Sequence, residues 1–338
     1  MITNLVMITI VIFLVATLVI KTSFREGEKH FFDKDNSNAL RGFWCLIVVL
    51  VHVPELYQNR IQDMLGSFAY IGVTFFFMTS AYGLCLKYLK CEEQNMGFWK
   101  NRLPKLLVPC FVVNSFSLLV RIIEKEEIDM LMILKINDWV IWLLICYFFF
   151  WIDYKFIKSY KNLLVIALIC MFSILIYFLK QEINRTTWCP EIMGFIWGII
   201  LYYKKDYFKK KMSNNWIIKL FVCLCISMIT GCCYLKFKTI YFWGEYILKI
   251  LLGFLIILFM LTFNVKINIG NKINKFLGEI SFEVYLVHGV IFGTVASISP
   301  QIVSGIFIAV SLLFTVIIAY ILHYIGKHIL QRINKILN

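Results

Sequence analysis

The chain has 338 residues, 61% of them hydrophobic and only 16% charged, with a mean hydropathy of +0.79. A soluble domain carries roughly 45–50% apolar residues and about a quarter charged ones, so these side chains cannot cover a globule in water and most of the surface must face lipid. The net charge of +14 would suggest nucleic acid in a soluble protein, whereas in a membrane protein it follows from lysine and arginine collecting in cytoplasmic loops.

A helix crosses the bilayer core with about 20 apolar residues. Such runs lie near 2–20, 42–57, 66–86, 106–122, 139–153, 162–179, 189–203, 216–235, 243–264, 277–298 and 302–325. They predict an all-α, polytopic integral membrane bundle of about eleven transmembrane helices. The first run has no positively charged leader and no A-x-A-like cleavage site, so it reads as a retained helix. With the N-terminus outside, the cytoplasmic segments hold 24 lysines and arginines and the outer segments 8. That bias sets the orientation, with the C-terminus cytoplasmic, and removes the need for nucleic acid as a partner.

Nine of the eleven cysteines lie in or at the ends of apolar runs, where Cys behaves as a small hydrophobe. Cys223-Leu224-Cys225 and Cys232-Cys233 lack the paired C-x-x-C spacing of a metal site, so no metal is expected. Neither G-x-x-x-x-G-K-[ST] nor G-x-S-x-G occurs, which leaves a P-loop ATPase and an α/β-hydrolase without support.

Ionisable residues inside a membrane are costly and are functional candidates by default. In the second run Arg41 precedes His52 by eleven residues, close to three helical turns, so both share one face about 16 Å apart along the axis. An Arg at the cytoplasmic rim suits a phosphate-bearing ligand, and a His deep in the bilayer can take a proton near neutral pH. The spacing is equally compatible with a snorkelling Arg and an interfacial His.

The Arg41…His52 element resembles the R-x10-H element of the acyltransferase 3 family, bacterial membrane enzymes that O-acetylate sugars. The similarity continues in the family's order. Phe75-Phe76-Phe77-Met78-Thr79-Ser80-Ala81-Tyr82 is similar to F-F-x-x-S-G-F, with Ala81 where Gly is usual. Arg102-Leu103-Pro104-Lys105 is similar to its R-x-x-R element, with Lys105 in place of the second Arg. Gly278-Glu279-Ile280-Ser281-Phe282-Glu283-Val284-Tyr285-Leu286-Val287-His288 is similar to G-x-I-S-Y-x-x-Y-L-x-H. The acidic residue that many members carry shortly after the position of Trp142 is missing here.

The resemblance implies a ten-helix acyltransferase domain over 39–338, with residues 1–38 adding one helix and a cytoplasmic linker. It implies His52 as general base, with Arg41, Arg102 and Lys105 holding acyl-CoA, acetyl-CoA above all. Ser80, Ser281, Tyr285 and His288 would line the cavity. Glu191 is carried as a further cavity or substrate candidate, although a carboxylate there also suits the start of a helix. The implied partners are acyl-CoA as co-substrate, a glycan or lipid-linked glycan acceptor, and membrane lipid, with no permanently bound cofactor. The expected location is the cell membrane, the acceptor a cell-envelope or exported glycan. Two other classes stay open: a transporter with a proton- or substrate-binding His52, and a membrane acyltransferase acting on lipid or protein with His288 as base. Repeated halves with broken helices would mark a transporter, and none is visible in the sequence.

Overall fold

The computed structural model describes residues 2–25, 31–89, 97–180 and 187–337. Apart from one short two-stranded pairing, the described residues form helices and turns. The helices are α1 (Ile2–Val19), α2 (Lys34–Leu50), α3 (Arg60–Gly66), α4 (Ala69–Tyr88), α5 (Phe98–Glu124), α6 (Asp138–Ile152) and α7 (Leu163–Leu179). They continue with α8 (Met193–Ser213), α9 (Trp216–Phe237), α10 (Lys249–Lys266), α11 (Lys272–Glu279), α12 (Ser281–Ile298) and α13 (Ser304–Leu337). Each of the eleven predicted runs has its helix, and α3 and α11 are short connectors between them. Among the described residues, eight helical stretches are long and apolar enough to cross a membrane. Of the remaining three, α1 is apolar but shorter, and α2 and α8 carry polar first and last turns respectively. The protein is an all-α polytopic membrane bundle.

Helix ends follow from local chemistry. Asp33 caps α2 by accepting from Asn36 N at 2.8 Å, and Asn59 and Gln62 form a reciprocal capping box on α3. Gln62 Nε2 also donates to Leu50 O at 2.5 Å, satisfying one of the carbonyls that the end of α2 leaves free.

Successive helices run in opposite directions, so the bundle has a basic end and an opposite end. At the basic end lie the starts of α2, α5 and α12 and the finishes of α4, α6 and α10, with Lys34, Lys87, Lys105, Lys155 and Lys266. There the strands β1 (Ser23–Phe24) and β2 (Ile267–Asn268) pair antiparallel, and Lys275 meets Asp35 at 2.7 Å.

The core is centred on α4, whose membrane window is 72% buried against 22–44% for the other seven spans. Small residues allow this, as expected where lipid gives no hydrophobic drive between helices. Gly194 and Gly198 of α8 lie against the backbone of Thr74 and Met78 in α4, where a Cβ would strike carbonyl oxygens. Gly42 of α2 meets Asn274 of α11 in the same way.

The link from α5 to α6 departs from a simple loop. At its basic end α5 packs beside the finish of α6, with Phe98 against Phe150 and Trp99 against Trp151 at ring separations of 6.3 and 5.9 Å. Yet Asn114, ten residues short of the α5 terminus, donates through Nδ2 to Ile133 O at 3.0 Å and Lys135 O at 2.7 Å. Ten residues of helix span about 15 Å, so the chain turns back along α5 for that distance and α6 starts at mid-depth. A short 3₁₀ turn at Met130–Leu134 and the Asn114 bonds occupy backbone groups that lipid could not satisfy. Asn137 then caps α6, its Oδ1 accepting from Trp139 N at 2.9 Å.

Candidate active site

A cavity of about 430 Å³ opens at the basic end, between the starts of α2 and α5 and the finish of α4. Asp33, Lys34, Ser37 and Asn38 form its mouth, Arg102 and Lys105 one wall, and Arg41, Ser80, Trp139 and Phe282 its inner end. Four cations, Lys34, Arg41, Arg102 and Lys105, thus face one space. Beyond it is a chamber of about 30 Å³ lined by Arg41, Phe76, Ser80, Trp139, Ser281, Phe282 and Tyr285. Arg41, Ser80, Trp139 and Phe282 belong to both.

Arg41 lies seven residues inside α2, about 10 Å from its start, rather than at the rim. Its Nη2 donates to Ser281 Oγ at 3.1 Å, and its guanidinium carbon is 6.0 Å from the Phe76 ring centre. A guanidinium has five donors, and Nε makes no hydrogen bond among the described residues. Arg102 sits 5.4 Å from the ring centre of Tyr88, which holds it over the cavity while Lys105, one turn on, is exposed.

His52 also departs from expectation. α2 stops at Leu50, and His52 lies exposed in the turn that follows, beside His288, the eighth of the eighteen residues of α12. The physical cause is Pro54, which has no N–H to continue a helix and disfavours helical backbone at Val53. The segment beyond is pinned: Tyr57 stacks on Phe307 with ring centres 3.8 Å apart and donates to Pro300 O at 3.1 Å. His52 Nδ1 is 3.0 Å from Val48 O. A carbonyl only accepts, so the neutral ring holds its proton on Nδ1 and presents Nε2 as the free base.

His288 of α12 is the nearest titratable neighbour, with ring centres 4.6 Å apart, and it is 7% exposed. Tyr285, one turn earlier, is 6.5 Å from His52 and 5.7 Å from His288 by ring centres. Tyr285 therefore belongs both to the inner chamber and to the histidine cluster. Neither cavity is lined by His52 or His288.

Glu191 lines neither of these two cavities. It lies just before α8, 4% exposed, and pairs with Lys249 at 2.6 Å on the far side of α4 from α2. The sequence suggests an i,i+4 pair of Glu245 with Lys249, but the turn Trp243–Leu248 is π-helical. That wider turn changes the register, and Glu245 pairs with Lys180 instead. Glu55 is exposed in a 3₁₀ turn and takes no part in the cluster. His323 contacts buried Glu283 through Nδ1 at 3.0 Å. His30 and Cys91 lie outside the described residues. The ten described cysteines are all free thiols, and no group of metal-ligating side chains occurs among the described residues.

Sequence reasoning did not single out Trp139 or Phe282. The signal present is Asn137-Asp138 ahead of an apolar run, a helix start, but nothing in it tells that the helix begins at mid-depth.

These features define a multi-pass membrane protein with a cationic cavity whose inner chamber shares Tyr285 with a histidine pair. A protein-family model for an acyltransferase domain, that of the acyltransferase 3 family, matches residues 34–324. The chain belongs to this family, and it is a membrane acyltransferase. Comparison with curated proteins and with solved structures returned no match.

Proposed function

We propose that the protein moves an acetyl or similarly short acyl group from cytoplasmic acyl-CoA to a hydroxyl of a cell-envelope or exported glycan, free or lipid-linked. The observation that carries the reading is one continuous arrangement. A cavity faced by four cations opens at the basic end, narrows at Arg41, and reaches Tyr285 beside the His52–His288 pair.

In this reading the protein sits in the cell membrane, and by the loop-charge rule its basic end is cytoplasmic, with the N-terminus outside and the C-terminus inside. Arg102 and Lys105 at the wall of the mouth meet the CoA phosphates as donors of charge-assisted hydrogen bonds. Arg41, further in, meets the thioester end, where its unused donors stabilise the negative charge that develops on the carbonyl oxygen. The acceptor arrives from the side on which His52 is exposed. Its hydroxyl oxygen attacks the thioester carbon as His52 Nε2 takes the hydroxyl proton. The C–S bond breaks, and the CoA thiolate recovers a proton as it leaves. Ser80, Ser281 and Tyr285 shape the space between, and His288 supports the His52 ring. Acyl-CoA acts as co-substrate, with no permanently bound cofactor.

Mass spectrometry of envelope glycans from cells with and without the protein tests this. A loss of one acyl unit per repeat in its absence is expected; identical glycans in both would overturn the glycan acceptor.

A further inference from the structure

The inner chamber is smaller than the outer cavity by more than tenfold, about 30 against 430 Å³. A water molecule needs roughly 10–15 Å³ on this measure, so the chamber takes a group the size of a methyl and not a chain. We infer that Trp139, Phe282 and Tyr285 set acyl length: with Arg41, beside which the thioester end of acyl-CoA is placed, they line the chamber that the acyl group enters, Trp139 and Phe282 bordering the outer cavity as well. This rests on the donor reading above.

The three rings meet one another around Trp139. Its ring centre is 5.9 Å from that of Phe282 and 5.6 Å from that of Tyr285. Behind it stands Phe77 at 5.6 Å, a fully buried side chain of the central helix α4. Trp139 itself is 6% exposed, its ring held among those of Phe77, Phe282 and Tyr285. Its backbone is equally fixed, because it is the second residue of α6 and its N–H is held by the Asn137 cap. The returning segment before it is tied to α5 through the two bonds of Asn114. A helix α6 that began at the membrane surface would carry residue 139 away from this level. The turned-back link therefore has a consequence for specificity: it delivers a bulky, immobile indole to mid-depth, opposite Arg41 and Ser80. In a fitted apolar pocket, one methylene too many costs about 10–200-fold in discrimination.

The test compares binding of CoA, acetyl-CoA, butyryl-CoA and octanoyl-CoA to the purified full chain in nanodiscs. The variants are Trp139→Leu and Phe282→Ala, each referred to its own affinity for CoA. The wild type is expected to hold acetyl-CoA at least tenfold more tightly than octanoyl-CoA. Either variant should cut that preference to threefold or less, with butyryl-CoA between. Trp139→Leu keeps apolar bulk at the site, and Phe282→Ala provides an independent opening should the first misfold. A wild type without length preference, or a preference unchanged in both folded variants, overturns the inference while leaving the donor reading intact. Failure of the wild type to bind CoA at all removes the donor reading and the inference with it.

Discussion

Replacing Arg102 and Lys105 together by glutamine removes two of the four cations that face the outer cavity. A charge pair at 4 Å is worth about 1 kcal/mol in bulk water and about 4 kcal/mol at an effective dielectric constant near 20. Lys105 is exposed and Arg102 half-buried, so solvent screening puts both near the low value, at about 1 kcal/mol each. The sum, about 2 kcal/mol, corresponds to roughly 30-fold weaker acyl-CoA binding. Glutamine keeps the polarity of the side chains, and among the described residues neither position takes part in a salt bridge that would be lost. The assay is titration of acetyl-CoA into nanodisc-held protein at low and high salt. At low salt the variant should bind about 30-fold more weakly; added salt should narrow the gap, because exposed charges are screened beyond roughly 10 Å at 0.1 M. Affinity within twofold of the wild type at low salt refutes the assignment and leaves both residues as determinants of orientation alone.

Other substitutions test the fold and its direction. Gly198→Leu should destabilise the bundle by at least 1–3 kcal/mol, the cost of overpacking, because its Cβ would meet α4 backbone; Gly326→Ala, with open space around it, should gain up to about 1 kcal/mol. Thermal unfolding in detergent checks both. Lys249→Met leaves Glu191 buried without its cation and should cost about 3–5 kcal/mol, whereas adding Glu191→Leu should restore most of it; recovery absent from the double variant would contradict the pairing. For orientation, Asn214→Cys at the basic end and Glu55→Cys at the other are both exposed sites. In a cysteine-free background, an impermeant thiol reagent should label Glu55→Cys in intact cells and Asn214→Cys only in inverted vesicles.

The bundle was legible because each lipid-crossing helix needs a long apolar run, and such runs stand out in any sequence. Loop charge gave the ends for the same reason. What the sequence hid was depth. Arg41 and His52 share an apolar stretch, and nothing in composition says that seven residues before Arg41, from Lys34 to Leu40, are already helical under the Asp33 cap. Pro54 did carry the signal that places His52 beyond the helix, since the residue before a proline seldom stays helical. The start of α6 was hidden more thoroughly. Asn114 bonds two carbonyls about twenty residues away in sequence, and a single polar side chain in an apolar helix does not name its partner. Glu191 and Lys249 likewise pair over 58 positions of sequence, whereas local spacing offered Glu245, which the π-helical turn carries off to Lys180.

The most direct measurement of the proposed chemistry is His52→Ala, assayed for acyl-CoA binding in nanodiscs and for envelope glycan acylation in cells. A general base contributes about 10²–10⁴-fold in rate, and His52 presents a free Nε2 while its Nδ1 is engaged by Val48. Its loss should therefore lower acylation by at least a hundredfold on that estimate, with acyl-CoA affinity and thermal stability near those of the wild type. Near-normal acylation would contradict the assignment and move the base to His288, 4.6 Å away by ring centres. Lost acyl-CoA binding would make His52 a ligand-holding residue instead.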